Sequence, residues 1–119
     1  MEITFYGIPN CDTVKKARAW LAEHGIAYRF HDFKKEGVPL AHLDRWIEEL
    51  GWEKLVNRQG TTWRKLDPAA QAGVTNAASA KKLMLDHVSV IKRPIVEWNA
   101  KKVTAGFDAA AWALHARGG

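Results

Sequence analysis

Met1-Glu2-Ile3-Thr4-Phe5-Tyr6-Gly7-Ile8-Pro9-Asn10-Cys11-Asp12-Thr13 is the stretch on which the reading of this chain turns. Residues 1–6 read as a buried strand and Gly7-Ile8-Pro9-Asn10 as a turn. Asp12 to His24 reads as an amphipathic helix with Val14, Ala17 and Leu21 on one face. Cys11, the only cysteine in the chain, stands between the strand and the first helical turn. There it faces the free N–H groups that open a helix, and those donors with the helix dipole favour an anion. A thiol of pKa about 8.5 is only about 3% thiolate at neutral pH, whereas one lowered to about 6 is about 90% thiolate. Each pKa unit is about 1.4 kcal/mol and a helix end supplies about 0.3–1 kcal/mol, so cationic side chains must supply the remainder. Against this stands the ordinary role of a lone reduced cysteine, a small buried hydrophobe.

Working outward, Asn10 is expected as the N-cap of the first helix and Gly25 as its stop. Ile26 to Phe33 alternates apolar and polar residues and reads as a second strand, so strand, helix and strand make a right-handed parallel crossover. Helical signals dominate the following segment. Pro39 suits a first helical position, Leu40, Leu43, Ile47 and Leu50 recur at helical spacing, and Gly51 ends the run. An apolar piece at Leu55 and Val56 leads into the polar loop 57–65. Asp67-Pro68 opens a short helix, and another spans about Asn76 to Asp86 with Ala80, Leu83 and Met84 inward. Pro94 to Trp98 and Lys102 to Ala105 are two strands of a hairpin, and Asp108 caps a closing helix bearing Trp112 and Ala113. Arg117-Gly118-Gly119 is expected to fray.

The order βαβ, helical stretch, ββα is that of an α/β protein, and at 119 residues with 47% hydrophobic content one domain is expected. One cysteine allows no internal disulfide, and no apolar run approaches the about 20 residues that span a bilayer or follows a basic signal region. A cytoplasmic, reduced protein with no membrane partner is the expectation. Eighteen Lys and Arg against thirteen Asp and Glu give a net charge of +5, spread without a block of like charges. Such a field suits solubility and attracts small anions. Zinc spacing, a helix-turn-helix signature and aromatic RNA-binding motifs are all missing, which argues against nucleic acid. His24, His31, His42, His87 and His115 fall on different elements, so no metal site is expected. The six tryptophans read as core and boundary packing.

Three segments carry a resemblance: Tyr6-Gly7-Ile8-Pro9-Asn10-Cys11-Asp12-Thr13, Asn57-Arg58-Gln59-Gly60-Thr61-Thr62-Trp63-Arg64-Lys65-Leu66, and Ile91-Lys92-Arg93-Pro94-Ile95-Val96. In this order and spacing the chain resembles the arsenate reductase ArsC and Spx-like family, nearest to its YffB-type branch. The resemblance implies a thioredoxin-like fold, with a core of about 1–36 and 88–116 and a helical insertion of about 37–87. It also implies a cis peptide bond before Pro94 beside the nucleophile loop, where the residues alone read as an ordinary strand-start proline. Cys11 takes the place of the family's nucleophile, and Arg58 and Arg93 take the places of two of its three arginines. The third falls near Gly106, where this chain has no cation, and the histidine that precedes the family's cysteine is replaced by Gly7.

Attack by a thiolate on an oxidised sulfur or an arsenic oxyanion needs a pocket that neutralises negative charge and a route for resolving the adduct. Arg58 and Arg93 are the candidate anion-binding groups, since guanidinium binds oxyanions through paired donors, although loop arginines are commonly just solvated. Asn10 and Thr13 are further candidates for orienting a thiolate or anion, and helix capping alone would also explain both. Val14 stands where a Cys-x-x-Cys pair would have its second thiol, so the adduct must be resolved by an external thiol. Glutathione is the expected co-substrate, with glutaredoxin as a further partner and no bound cofactor. The expected activity is a monothiol, glutathione-dependent thiol reductase with some arsenate reduction, working as a monomer on a small anionic or thiol substrate. The alternatives are an Spx-like regulator that binds RNA polymerase, and a member that keeps the fold without turnover.

Overall fold

A computed structural model describes residues 2–118, with side chains described through residue 116; Met1 and Gly119 lie outside the described residues. Strands β1 (Thr4–Gly7), β2 (Arg29–Asp32), β3 (Ile95–Glu97) and β4 (Val103–Ala105) form one sheet in the order β2-β1-β3-β4. β1 runs parallel to β2 with Phe5 opposite Phe30, and antiparallel to β3 with Phe5 opposite Val96. β3 and β4 close an antiparallel hairpin. Helix α1 (Asp12–Glu23) makes the crossover between the parallel pair, and α8 (Ala109–Gly118) closes the chain. This βαβ…ββα order is the thioredoxin-like arrangement.

The packing follows from strand alternation, which sends neighbouring side chains to opposite faces. Phe5 and Val96 go to one face and bury against Val14, Ala17 and Leu21 of α1, with Trp98 and Trp112 completing the cluster. Trp112 meets Trp98, Phe107 and Trp20 edge-on at centroid distances of 5.1, 4.8 and 5.7 Å. Edge-to-face pairs of this kind contribute about 0.5–1.5 kcal/mol each beyond burial. Tyr6 points to the other face, where its hydroxyl donates to buried Glu97 Oε1 at 2.7 Å and its ring lies 4.9 Å from that of His31.

The chain divides into two units, Met1–Gly37 with Arg93–Gly119, and Val38–Lys92. The first holds the sheet, α1, α8 and α2 (Phe33–Glu36), a single turn capped by Asp32. The second holds α3 (Leu40–Leu50), α4 (Trp52–Leu55), α5 (Thr61–Lys65), α6 (Pro68–Ala72) and α7 (Ala77–Asp86). Val88 to Lys92, expected on the core side, belong to this second unit. Val56 bridges Ile91, Asn57 N–H donates to Val90 O at 2.8 Å, and Lys92 N–H donates to Leu55 O at 2.7 Å.

Several boundaries differ from expectation for identifiable reasons. Gly7 is the last residue of β1, not a turn residue, because it still pairs with Asp32. On α3 the fully buried residues are Leu43 and Trp46, while Leu40 at the helix start is 55% exposed. Part of the polar loop, Thr61–Lys65, is helical. Asp67 and Asn76 cap α6 and α7 as expected, accepting from Ala70 and Ser79 N–H at 2.8 and 2.9 Å. α8 runs through Gly118, where fraying is the expectation from sequence. No helix among the described residues is long and apolar enough to cross a membrane.

Candidate functional site

Cys11 is itself the N-cap of α1, with extended backbone at φ −99° and ψ 127°. This corrects the expectation for Asn10. Cys11 N–H donates to Ile8 O at 3.3 Å, closing a turn that uses up Pro9 and Asn10 before the helix starts. Cys11 C=O then accepts from Lys15 N–H at 2.9 Å, the first helical bond. The thiol makes no capping bond. The residue is half-buried, its side chain resting against the edge of the α1 core cluster. A fully enclosed hydrophobe it is not.

Asn10 and Thr13 are both exposed on either side of it. Thr13 occupies the first turn of α1, and Asp12 beside it already places one carboxylate at this helix end.

Pro94 reaches the same end of the sheet from the other direction. The Arg93-Pro94 bond is cis. The antiparallel pairing of Tyr6 with Ile95, carried one residue further, sets Pro94 beside Gly7, the residue that launches the Cys11 turn. Pro94 is buried, and its C=O accepts from Gly106 N–H at 2.8 Å. Gly106 has φ 88°, a left-handed conformation that favours glycine over an arginine. Arg93 is half-buried, with its Nε out of contact with solvent. Thus one unit carries Cys11, Asn10, Thr13, Arg93 and Pro94 at one end of the β1–β3 pair.

Arg58 lies in the second unit. It follows Asn57 in a turn closed by Gly60 N–H on Asn57 O at 3.3 Å, and Asn57 Oδ1 accepts from Gln59 N–H at 3.3 Å. A Cβ on Gly60 would sit 2.8 Å from Asn57 Nδ2, so a side chain there would displace the Asn57 amide. The guanidinium carbon of Arg58 lies 5.8 Å from the ring centre of Trp52 and 5.5 Å from that of Trp63. Two cation–π contacts therefore fix an exposed arginine that would otherwise swing free. Sequence reasoning missed both tryptophans, which stand at offsets of no regular period from Arg58. Among the described residues no group of three or more His, Cys, Asp and Glu is placed to hold a metal ion.

The model of the ArsC family matches residues 6–114. The solved YFFB protein is 48% identical, with a TM-score of 0.89 over 95% of this chain and 97% of that one. An arsenate reductase (ArsC) related protein from Brucella melitensis is 49% identical, with a TM-score of 0.76 over 98% and 96%. The global transcriptional regulator Spx of Streptococcus agalactiae is 27% identical over 108 residues, 89% of this chain and 77% of that one. With its sheet order, its cis-proline and its cysteine at the helix cap, the chain belongs to the ArsC family, on a thioredoxin-like fold.

Proposed function

We propose that this protein is a monothiol thiol reductase that uses Cys11 as nucleophile and glutathione as co-substrate. The observation that carries the reading is Cys11 at the cap of α1, half-exposed, with no bond on its sulfur and a cis-proline beside its strand. Amide donors at the start of a helix favour negative charge developing on an attacking sulfur or an incoming oxyanion. In the first half-reaction Cys11 sulfur attacks one sulfur of a disulfide, the S–S bond breaks, and the other sulfur leaves as a thiolate. In the second, a glutathione thiolate attacks the mixed disulfide and releases Cys11. That leaves the retained sulfur joined to glutathione, and a second glutathione cleaves this bond to give glutathione disulfide; the two electrons thus come from two glutathiones, because Val14 supplies no resolving thiol.

Arg93 and Arg58 are the proposed anion-binding groups, with Asn10 and Thr13 as further polar contacts at the nucleophile. Arsenate reduction belongs to the same chemistry. Two electrons from Cys11 and one glutathione would convert arsenate to arsenite, and a further thiol, from glutathione or glutaredoxin, would clear the mixed disulfide. Support for this finer reading is the similarity to the Brucella melitensis protein, together with the resemblance by which Cys11, Arg58 and Arg93 match the family's nucleophile and two of its arginines. The deciding experiment is incubation with oxidised glutathione followed by intact-mass measurement. One glutathione adduct is expected on the native protein and none on Cys11→Ser; a native protein that stays unmodified at neutral pH defeats the proposal.

The similarity to Spx favours one rival, a regulator that docks on RNA polymerase. A single cysteine leaves it without the vicinal pair with which such regulators sense redox state. Capture by the C-terminal domain of the RNA polymerase α chain would favour the regulator; the reductase predicts none.

A further inference from the structure

Lys54, Arg58 and Lys92 line one open depression of about 250 Å³ in the second unit, together with Glu53, Asn57 and Gln59. Local folding gathers them. The bridge of Val56 with Ile91 and the bond from Lys92 N–H to Leu55 O lay Lys92 alongside the 54–58 segment. Trp52 and Trp63, with ring centres 5.8 and 5.5 Å from the Arg58 guanidinium carbon, restrict where that side chain lies. Among the described residues none of the three cations forms an ion pair. Glu53, the one carboxylate of the rim, turns back over Gly51, its Oε1 3.5 Å from the place a Cβ would take. Three positive charges against one negative thus surround the space and leave it with a surplus of positive charge.

We propose that this depression is a binding site for a small polycarboxylate, with Lys54 and Lys92 as its unassigned ligands. The proposal deepens the reading above and rests on it for Arg58 alone. A planar guanidinium matches a carboxylate through two parallel bonds, and the two ammonium groups answer a second carboxylate. The volume lies just under the range of about 300–1,000 Å³ typical of drug-sized sites, so the ligand is a small metabolite-sized acid or the acidic end of a peptide. Trp52 and Trp63 act as positioning residues for Arg58.

Citrate serves as the probe, titrated at low salt into the full-length protein while backbone amide resonances are followed. Saturable shifts confined to residues 53–59 and 92 are expected, lost on raising the salt and not reproduced by acetate. Lys54→Gln and Lys92→Gln should each weaken citrate binding by about three- to tenfold, and Lys16→Gln, elsewhere on the surface, should not. Cys11→Ser should bind citrate like the native protein, so failure of this site and failure of the Cys11 chemistry read out separately. Absence of saturation, shifts elsewhere, or equal affinity in the lysine variants overturns the proposal. Binding of pyrophosphate in place of citrate overturns the carboxylate assignment.

Discussion

Val14 occupies the space that a side chain on Gly7 would need: a Cβ at position 7 would lie 3.0 Å from Val14 Cγ2 and 3.4 Å from Phe5 Cε1. Gly7 and Val14, the residue that stands where a Cys-x-x-Cys pair would have its second thiol, are thereby one packing unit beneath the Cys11 turn. A side chain at position 7 requires Val14, packed in the core cluster it shares with Phe5 and Leu21, to give by a few tenths of an ångström.

Gly7→Ala should therefore cost about 1–3 kcal/mol through overpacking. In a Val14→Ala background, where the space is vacated, the same change should cost at least about 0.5 kcal/mol less, the size of coupling expected between touching residues. Urea unfolding of the four proteins measures the cycle. Strict additivity would show that the two residues do not share the space.

Gly106 is a second glycine with a positional requirement. Its φ of 88° lies in the left-handed region, and its N–H is committed to Pro94 C=O at 2.8 Å. Gly106→Arg, which would place a cation near the position of the family's third arginine, should destabilise the protein by about 1–2 kcal/mol. Gly106→Asn, which tolerates this conformation better, should cost less. Midpoints of chemical denaturation rank the two, and an arginine variant as stable as the parent would refute the backbone argument.

Much of this architecture is legible in the sequence because its signals are periodic or local. Val14, Ala17 and Leu21 mark the buried face of α1 by spacing alone, and Asp67-Pro68 announces α6 through cap and first-turn chemistry. Misses fall where periodicity has no length to act on. Phe33–Glu36, Trp52–Leu55 and Thr61–Lys65 are single turns, too short for an amphipathic pattern. Asparagine is a good cap, which points to Asn10, yet Pro9 carries the contrary signal. A proline at the second position of a turn over residues 8–11 commits Asn10 to the third and leaves Cys11 to open the helix. Cys11, Arg93 and Arg58 enter the proposed site from the sequence alone. The Trp52 and Trp63 contacts to Arg58 follow no regular spacing, and the placing of Lys92 beside Lys54 joins residues far apart in the chain, which no local pattern encodes.

His115 on α8 sets a pH dependence. Its ring lies 5.6 Å from that of Trp98, and partial burial, with the Lys102 charge as a second cause, holds its pKa below the ordinary 6.5. The folded protein therefore takes up this proton less readily than the unfolded chain. The contribution is fully present above the unfolded value and is lost as pH falls through 6.5 and past the folded pKa. Stability should fall on acidification, and the fall should be smaller in His115→Gln. Urea midpoints at about pH 7.5 and about pH 5.5 compare the two, and an identical drop in both proteins would remove His115 as a cause.

Position 11 exchanges a helix cap for a nucleophile. Asp32, Asp67, Asn76 and Asp108 each accept from a backbone N–H at the start of their helices, at 2.9, 2.8, 2.9 and 3.2 Å. Cys11 has the extended backbone of an N-cap and makes no such bond. Cys11→Ser changes one atom and supplies a hydroxyl that can accept from the first turn, so it should stabilise the protein by about 0.5–1 kcal/mol while abolishing the glutathione adduct. Cys11→Ala abolishes the adduct without that gain, which separates capping from removal of the thiol. Thermal midpoints should then rank serine above both cysteine and alanine. A serine variant no more stable than alanine would mean that the turn from Ile8 to Cys11 holds the side chain away from the N–H groups, and with it the sulfur that the proposed chemistry needs there.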